Sequence, residues 1–348
     1  MKILIIQTAF LGDLILTTSF FREVKQKYKE AEIHVIVNKG TEDILFGNPN
    51  ITKVISFDKA KVRKSIFYFF SFIQCLRKEK YEICICPHFS YRSTLISFFS
   101  GAKVRIGYKE SGFSFLHTKK ISRPLEGKHE VDKLFSLIHE NTDSFSLKQK
   151  RPELFFSEAR LIKIKTILET YHLNKNFIIL APSSIWETKR MPTSKFQELF
   201  QRIVADTDYS IVLIGSPKDQ ILCENIIDRR LPENQVNKVE RIFNLAGKTD
   251  LVELSYVISQ ALAIVSNDSS PIHFASAHNI PTIMIYGATV PAFGYSTLVD
   301  KQYLSQVDGL SCRPCGIHGG KVCPEKHFKC MEEQNIDIMF KQLIQLIK

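Results

Sequence analysis

The sequence predicts an α/β chain built from two doubly wound parallel sheets, and three observations carry that prediction. Short apolar runs recur along the chain without the in-out alternation of a half-exposed strand, which is the pattern of strands buried on both faces. Each is followed by a stretch with helical spacing, so strand and helix alternate. Between them lie turns rich in Gly, Ser, Asp and Pro, placed where such sheets bind ligands, beyond the carboxyl ends of the strands.

Lys2 to Gln7 reads as the first strand and Leu14 to Tyr28 as its helix, with Phe20, Phe21 and Val24 on one side and Thr8 to Asp13 as the turn between. Glu32 to Val37, Lys53 to Phe57, Glu82 to Cys86 and Val104 to Gly107 read as further strands. They are separated by helical stretches around Thr41 to Phe46, Lys64 to Lys80 and Ser90 to Ser100. Two segments of this half stand out. Lys59 to Lys80 sets an aromatic-rich apolar centre between basic ends; it is too short to span a bilayer, and reads either as a helix lying on a membrane or as a core-facing helix with solvated ends. Lys103 to Lys133 carries eight Lys or Arg against four acidic residues and reads as a basic loop region or a solvated charged surface.

Pro152 to Phe156 and the helix Ala159 to Tyr171 lead into a second domain. Its strands are Phe177 to Ala181, Ile211 to Ile214 and Ile242 to Gly247. The first runs into Pro182 to Pro192 ahead of the helix Thr193 to Asp206, and the second into Gly215 to Asp219. Ala263 to Val265 then stops at Asn267-Asp268-Ser269-Ser270. Pro271 opens a short helix, Asn279 ends it, and Thr282 to Tyr286 is the next strand. Proline suits a first helical turn because it lacks an amide hydrogen that had no partner there. The amides left at such a start, with the positive end of the helix dipole, suit an anion, and His273 lies in the same turn. Ser, Asp and Pro there are equally ordinary capping chemistry.

The chain of 348 residues has material for two cores, and its net charge of +11 points to an anionic partner: nucleic acid, a membrane surface, or a phosphorylated or carboxylated substrate. No run of about 18 apolar residues occurs and the N-terminus meets an acidic residue early, so a cytoplasmic protein is expected. The eight cysteines then indicate reduced thiols or a metal. Cys312, Cys315, Cys323 and Cys330, with His318 and His327 interleaved, have zinc-ligand spacing and are candidates for a structural zinc site. Neither G-x-G-x-x-G nor a phosphate-binding P-loop is present, since Gly316 to Val322 lacks the spacing and the hydroxyl residue.

The N-terminal ILIIQTAFLGDLILTTSFFREVK, the middle PSSIWETKRMP, SNDSSPIHFASAHNIPTIMIYGAT and CRPCGIHGGKVCPEKHFKCM together resemble the lipopolysaccharide heptosyltransferases of glycosyltransferase family 9, nearly end to end and in order. The resemblance implies a GT-B fold, two Rossmann-like doubly wound domains facing a central cleft. Residues 1–157 would bind the acceptor, residues 158–330 the nucleotide sugar, and residues 331–348 would form a helix returning to the first domain. It implies inverting transfer of heptose from ADP-L-glycero-D-manno-heptose to a lipid A-Kdo-heptose type acceptor. The enzyme would need no catalytic metal and would work at the cytoplasmic face of the inner membrane as a peripheral protein.

The family's catalytic Asp falls on Asp13. Its diphosphate contacts fall on Ser183, Ser184 and Lys189 and on Asp268, Ser269, Ser270 and His273, with Ser270 where Gly is usual; an acidic residue near the ribose matches Asp219. Inverting transfer needs a base for the acceptor hydroxyl and a counterpart for the departing diphosphate, which amides and cations can supply. Lys61, Arg63, Lys64, Lys119, Lys120 and Arg123 are the expected acceptor contacts on charge. The alternatives are a GT-B enzyme using another donor, such as UDP-N-acetylglucosamine, and a basic zinc-containing nucleic-acid-binding protein. The second is disfavoured because the basic residues neither line one helix nor interleave with stacking aromatics.

Overall fold

The computed structural model of the chain describes residues 1–171, 173, 176–227 and 240–348. It divides at Ser157 into two units, Met1–Ser157 and Glu158–Lys348. The first contains six strands: β1 (Lys2–Gln7), β2 (Glu32–Asn38), β3 (Lys53–Phe57), β4 (Ile83–Cys86), β5 (Val104–Tyr108) and β6 (Lys119–Ile121). They pair in the order β3-β2-β1-β4-β5-β6, every pairing parallel. The second contains β7 (Phe177–Ala181), β8 (Ser210–Leu213), β9 (Ile242–Asn244), β10 (Ala263–Asn267), β11 (Thr282–Ile285) and β12 (Gln302–Ser305). Their order is β12-β11-β10-β7-β8-β9, again parallel throughout.

Both units therefore share one topology, winding outward in both directions from a central pair. The winding reverses between β1 and β4 in the first sheet and between β7 and β10 in the second. At such a reversal the flanking connections leave on opposite faces, and a crevice opens beyond the carboxyl ends of the two strands. The residues next after these strands are Thr8 and Pro87 in the first unit, and Pro182 and Asp268 in the second. Near-complete burial explains why the central strands read as unbroken apolar runs: Ile3 to Ile6, Ile178 to Leu180 and Ile283 to Ile285 are wholly inaccessible.

Two strands escape the sequence reading, β6 and β12; both are edge strands, β6 with no buried residue and β12 with only Ser305 buried. Lys119 and Lys120, in the stretch that reads as a basic loop region or a solvated charged surface, are exposed on β6. The stretch Lys59 to Lys80 forms two helices, Lys59–Lys64 and Ile66–Lys78. Ser65 breaks it with extended backbone, and its hydroxyl accepts from the Tyr68 amide to cap the second.

The last helix, Ile336–Ile347, belongs to the second unit. Ile336, Met339, Leu343 and Leu346 join the apolar core beneath β7, β10 and β11, with Phe196, Phe200 and Ile203 of the helix Thr193–Asp206. A strongly one-sided apolar stripe seals one face of its own sheet here, which is what such a stripe does wherever the nearest open face lies.

Candidate active site

In the second unit the switch-point crevice collects the sequence-predicted donor residues. Asn267, the last residue of β10, is fully buried; its side-chain amide donates to the Pro182 carbonyl (2.7 Å) and its oxygen accepts from the Met191 amide (3.1 Å). One side chain thus ties the loop after β7 to the end of β10. The Ser269 hydroxyl donates to the Ser183 carbonyl (3.2 Å), a second tie across the same gap. Ser184 is buried; its hydroxyl accepts from the Trp186 amide (3.3 Å) and its carbonyl from Arg190 Nε (2.6 Å). The loop is thereby bent so that Lys189 Nζ meets Asp268 Oδ2 at 2.5 Å, both side chains largely buried. The same Asp268 oxygen accepts from the Thr289 hydroxyl (2.7 Å).

A lysine held over a strand-to-helix turn by one carboxylate is a cation stored where an anionic ligand can claim it. The helix Pro271–His278 opens at Ser270, whose φ of −54° and ψ of −30° are ordinary right-handed values. The backbone conformation at this position does not itself require glycine. Two expectations change. Ser270 makes no side-chain cap, and the amides of Ile272 and His273 close on the carbonyls of Ser269 and Ser270. The attraction for an anion at this helix start thus rests on the dipole and on Lys189 more than on those two amides. His273 is buried in the first turn. Asp219 follows β8 as expected, yet its Oδ2 accepts both the amide (2.8 Å) and the hydroxyl (2.6 Å) of Ser216, so one oxygen is committed to the local turn.

In the first unit, Asp13 lies in the first turn of the helix Leu11–Lys27. This helix starts three residues earlier than the sequence suggests, with Phe10 as its N-cap. Asp13 is therefore inside the helix rather than its cap. Buried Gln7 donates to the Thr17 hydroxyl (2.7 Å), which donates to the Asp13 carbonyl (2.6 Å), so the end of β1 fixes the turn that bears the carboxylate.

The crevice between β1 and β4 holds a polar cluster that the sequence reading missed. The Thr8 hydroxyl, His88 Nδ1 and the Ser93 hydroxyl lie 3.0 Å from one another. Asn38 Nδ2 donates to the carbonyls of Thr8 (3.0 Å) and Ala9 (2.6 Å), and Lys59 Nζ donates to Thr8 O (2.5 Å). Burial, reinforced by Lys59, Arg92 and Arg123, pushes the His88 pKa down to about 4, so the imidazole is neutral at pH 7 amid cations. Lys59 was passed over because it opens a run of similar lysines, and His88 because it follows a proline in a segment without motif. The signal for both was position: each comes just after a strand.

The six expected acceptor cations do not form one patch. Lys61, Arg63 and Lys64 are exposed after β3, at one edge of the sheet, while Lys119 and Lys120 are exposed on β6 at the opposite edge. Across six strands the edges are roughly 24 Å apart, given about 4.8 Å per strand. Arg123 is mostly buried, bonded to buried Glu130 (2.6 Å) and stacked over Phe89 and Tyr108 at 4.9 and 5.5 Å, so its charge serves the core.

The four cysteines expected to hold zinc are free thiols in or beside the irregular stretch after β12. Cys312 Sγ lies 3.9 Å from His327 Nε2, Cys315 Sγ donates to the Cys312 carbonyl (3.3 Å), and Cys330 is buried. Among the described residues no group of three His, Cys, Asp or Glu side chains is arranged to hold a metal ion.

Residues 69–325 match glycosyltransferase family 9 (heptosyltransferase). The chain belongs to this family. It is 28% identical over 291 residues to lipopolysaccharide heptosyltransferase 3 of Escherichia coli, covering 80% of this chain and 82% of that one. It is 29% identical over 310 residues to lipooligosaccharide heptosyltransferase 2 of Haemophilus ducreyi, with 84% and 85% covered. Its structure superposes on that of E. coli ADP-heptose LPS heptosyltransferase II with a TM-score of 0.79 at 23% identity, over 100% of this chain and 98% of that one. The protein is thus a glycosyltransferase with the two Rossmann-like units of a GT-B fold, and the nucleic-acid-binding alternative falls away.

Proposed function

We propose that this heptosyltransferase-family chain moves heptose from ADP-L-glycero-D-manno-heptose onto the inner core of lipopolysaccharide, with inversion at the anomeric carbon. The observation that carries the reading is the Lys189–Asp268 pair at the switch point of the second sheet, flanked by Ser183, Ser184, Ser269 and the start of the helix Pro271–His278. The names of the relatives support the sugar and the acceptor, and the name of E. coli heptosyltransferase II supports an ADP-linked donor. In the ground state the donor diphosphate takes Lys189 from Asp268. As the glycosidic bond to phosphate breaks, negative charge grows on the leaving oxygen, and the ammonium and the helix dipole meet it. Asp13 accepts the proton of the attacking acceptor hydroxyl on the face opposite the leaving group. A base and a leaving group on opposite faces give inversion.

The acceptor's anionic groups are received by the first unit, with Lys59, Arg92 and the Thr8-His88-Ser93 cluster replacing Arg123 in the expected set. The reading places the protein in the cytoplasm, peripheral to the inner membrane. No helix among the described residues is long and apolar enough to cross a membrane. The helix Ile66–Lys78 buries only Ile73 and Leu76, while Ile66, Phe67 and Phe70 stand exposed, Phe67 at 83%. Phe67, Phe70, Phe99 and Arg77 line a cavity of about 500 Å³ on this face, and Lys61, Arg63, Lys64 and Lys78 are exposed on this helix and the one before it. Exposed aromatic side chains on helices that also carry exposed cations suit the headgroup boundary of an anionic bilayer.

Donor choice is tested by thermal shift, since a ligand of the folded state raises the midpoint by mass action. ADP should stabilise the protein at concentrations where UDP does not; stabilisation by UDP alone would move the assignment to a uridine-linked donor.

A further inference from the structure

The stretch after β12 that carries the cysteines holds the neighbours of both members of the Lys189–Asp268 pair: Thr188, next to Lys189, and Thr289, whose hydroxyl bonds Asp268. On the lysine side, buried Thr188 is locked to Gly320 three times. The Thr188 amide donates to the Gly320 carbonyl (3.1 Å), its hydroxyl donates to the same carbonyl (3.1 Å), and it accepts from the Gly320 amide (2.7 Å). Gly319 fits beneath at φ +75°, where a Cβ would stand 2.8 Å from the Thr188 hydroxyl and 3.4 Å from Lys189 Cγ. The Trp186 and His318 rings stack at 6.4 Å and 11° on the same turn.

On the aspartate side, Arg313 Nη2 donates to the Thr289 carbonyl (2.8 Å), and the Thr289 hydroxyl is the one that bonds Asp268. Between the two sides the Ala288 amide donates to the Thr188 carbonyl (3.3 Å) and the Ala288 carbonyl accepts from the Cys315 amide (2.8 Å). Residues 312–320 thus form a strap across the loops after β7 and β11.

We infer that this strap is a positioning element for the donor site, in which Thr188 clasped by Gly319 and Gly320 aims Lys189 at the diphosphate, and Arg313 through Thr289 sets the carboxylate from which Lys189 is released. The inference rests on the proposed role of Lys189. A lysine on four rotatable bonds loses most of its electrostatic value if its own backbone turn drifts, and here that turn has no regular element to hold it beyond a single helical turn at Glu187–Lys189. A hydroxyl is required at this position because one oxygen both donates and accepts.

The test is ADP binding by calorimetry and donor kinetics for Thr188→Val, Thr188→Ser, Lys189→Ala and Thr188→Val/Lys189→Ala. Thr188→Val should weaken ADP about tenfold and raise the donor KM with the acceptor KM unchanged, Thr188→Ser should restore both, and Thr188→Val should add nothing in the Lys189→Ala background. An equal loss in that background, or wild-type ADP affinity in Thr188→Val beside a loss in Lys189→Ala, overturns the strap alone. Unchanged affinity in Lys189→Ala overturns the donor reading and the strap with it. Should Thr188→Val fail to fold, Gly319→Ala applies the same displacement from the other side: weakened ADP binding supports the clasp and wild-type binding overturns it.

Discussion

At the residue scale the account depends on two charged side chains whose neighbours determine how they can be tested. Lys189 is paired with a buried carboxylate, so its removal leaves Asp268 with the Thr289 hydroxyl but without its cation, and some loss of melting temperature is expected. The functional effect is separable. A charge-assisted contact of about 1.5–3 kcal/mol predicts that Lys189→Ala weakens ADP by about 10- to 100-fold, read by calorimetry on the folded variant; affinity within twofold of wild type would remove Lys189 from the diphosphate site. Asp13 is cleaner. Because Phe10, not Asp13, is the N-cap, and the Asp13 backbone is held through Thr17, Asp13→Asn should fold as wild type while turnover falls by about 100- to 10,000-fold with ADP binding retained. Turnover within a few-fold of wild type would place the base elsewhere.

At the scale of elements, the helix Ile66–Lys78 is split between two tasks, with Ile73, Leu76, Phe69 and Phe72 toward the core and Ile66, Phe67 and Phe70 outward. Phe67→Ser/Phe70→Ser should reduce binding to anionic vesicles at least tenfold in co-sedimentation, given about 1.5–3 kcal/mol for burying a phenylalanine, and leave ADP affinity alone. Vesicle binding that survived the change would make the face an ordinary solvated one. This helix also shows what was legible in the sequence. The apolar centre and basic ends were plain, but which ring faced the core could not be read, because aromatics stand on every position from Phe67 to Phe72 except Ser71, too few polar residues to mark a side. The central strands and the loops after β7 and β10 were legible for the opposite reason: full burial removes polar residues from the strand, and the turn that follows collects them. Edge strands β6 and β12 lack that contrast. The strap's grip on Thr188 runs over 132 positions of chain and is made mostly by backbone groups, which no residue type announces. His88 and Lys59 were missed likewise, since what brings them together is strand order.

At the scale of the whole molecule, buried neutral histidines set an acid limit. His88, His117 and His278 each have the pKa lowered to about 4 from 6.5, chiefly by burial, and His34 and His139 are lowered in the same direction. Above pH 6.5 these imidazoles are neutral whether folded or unfolded, and their packing contributes in full. As pH falls from about 6.5 toward 4 the unfolded chain takes up protons that the folded chain refuses, so stability drops over that window and levels below it. Urea denaturation midpoints should decline steadily between pH 6.5 and 4; a flat profile would mean these rings are protonated in the fold. The central claim concerns the reaction itself, and it is tested most directly by incubating the purified protein with ADP-L-glycero-D-manno-heptose and a lipid A-Kdo-heptose acceptor and reading the product's mass and anomeric configuration. The account predicts one added heptose with inverted configuration and release of ADP, lost in Asp13→Asn. Retained configuration, or transfer from a UDP-sugar with none from ADP-heptose, would contradict it.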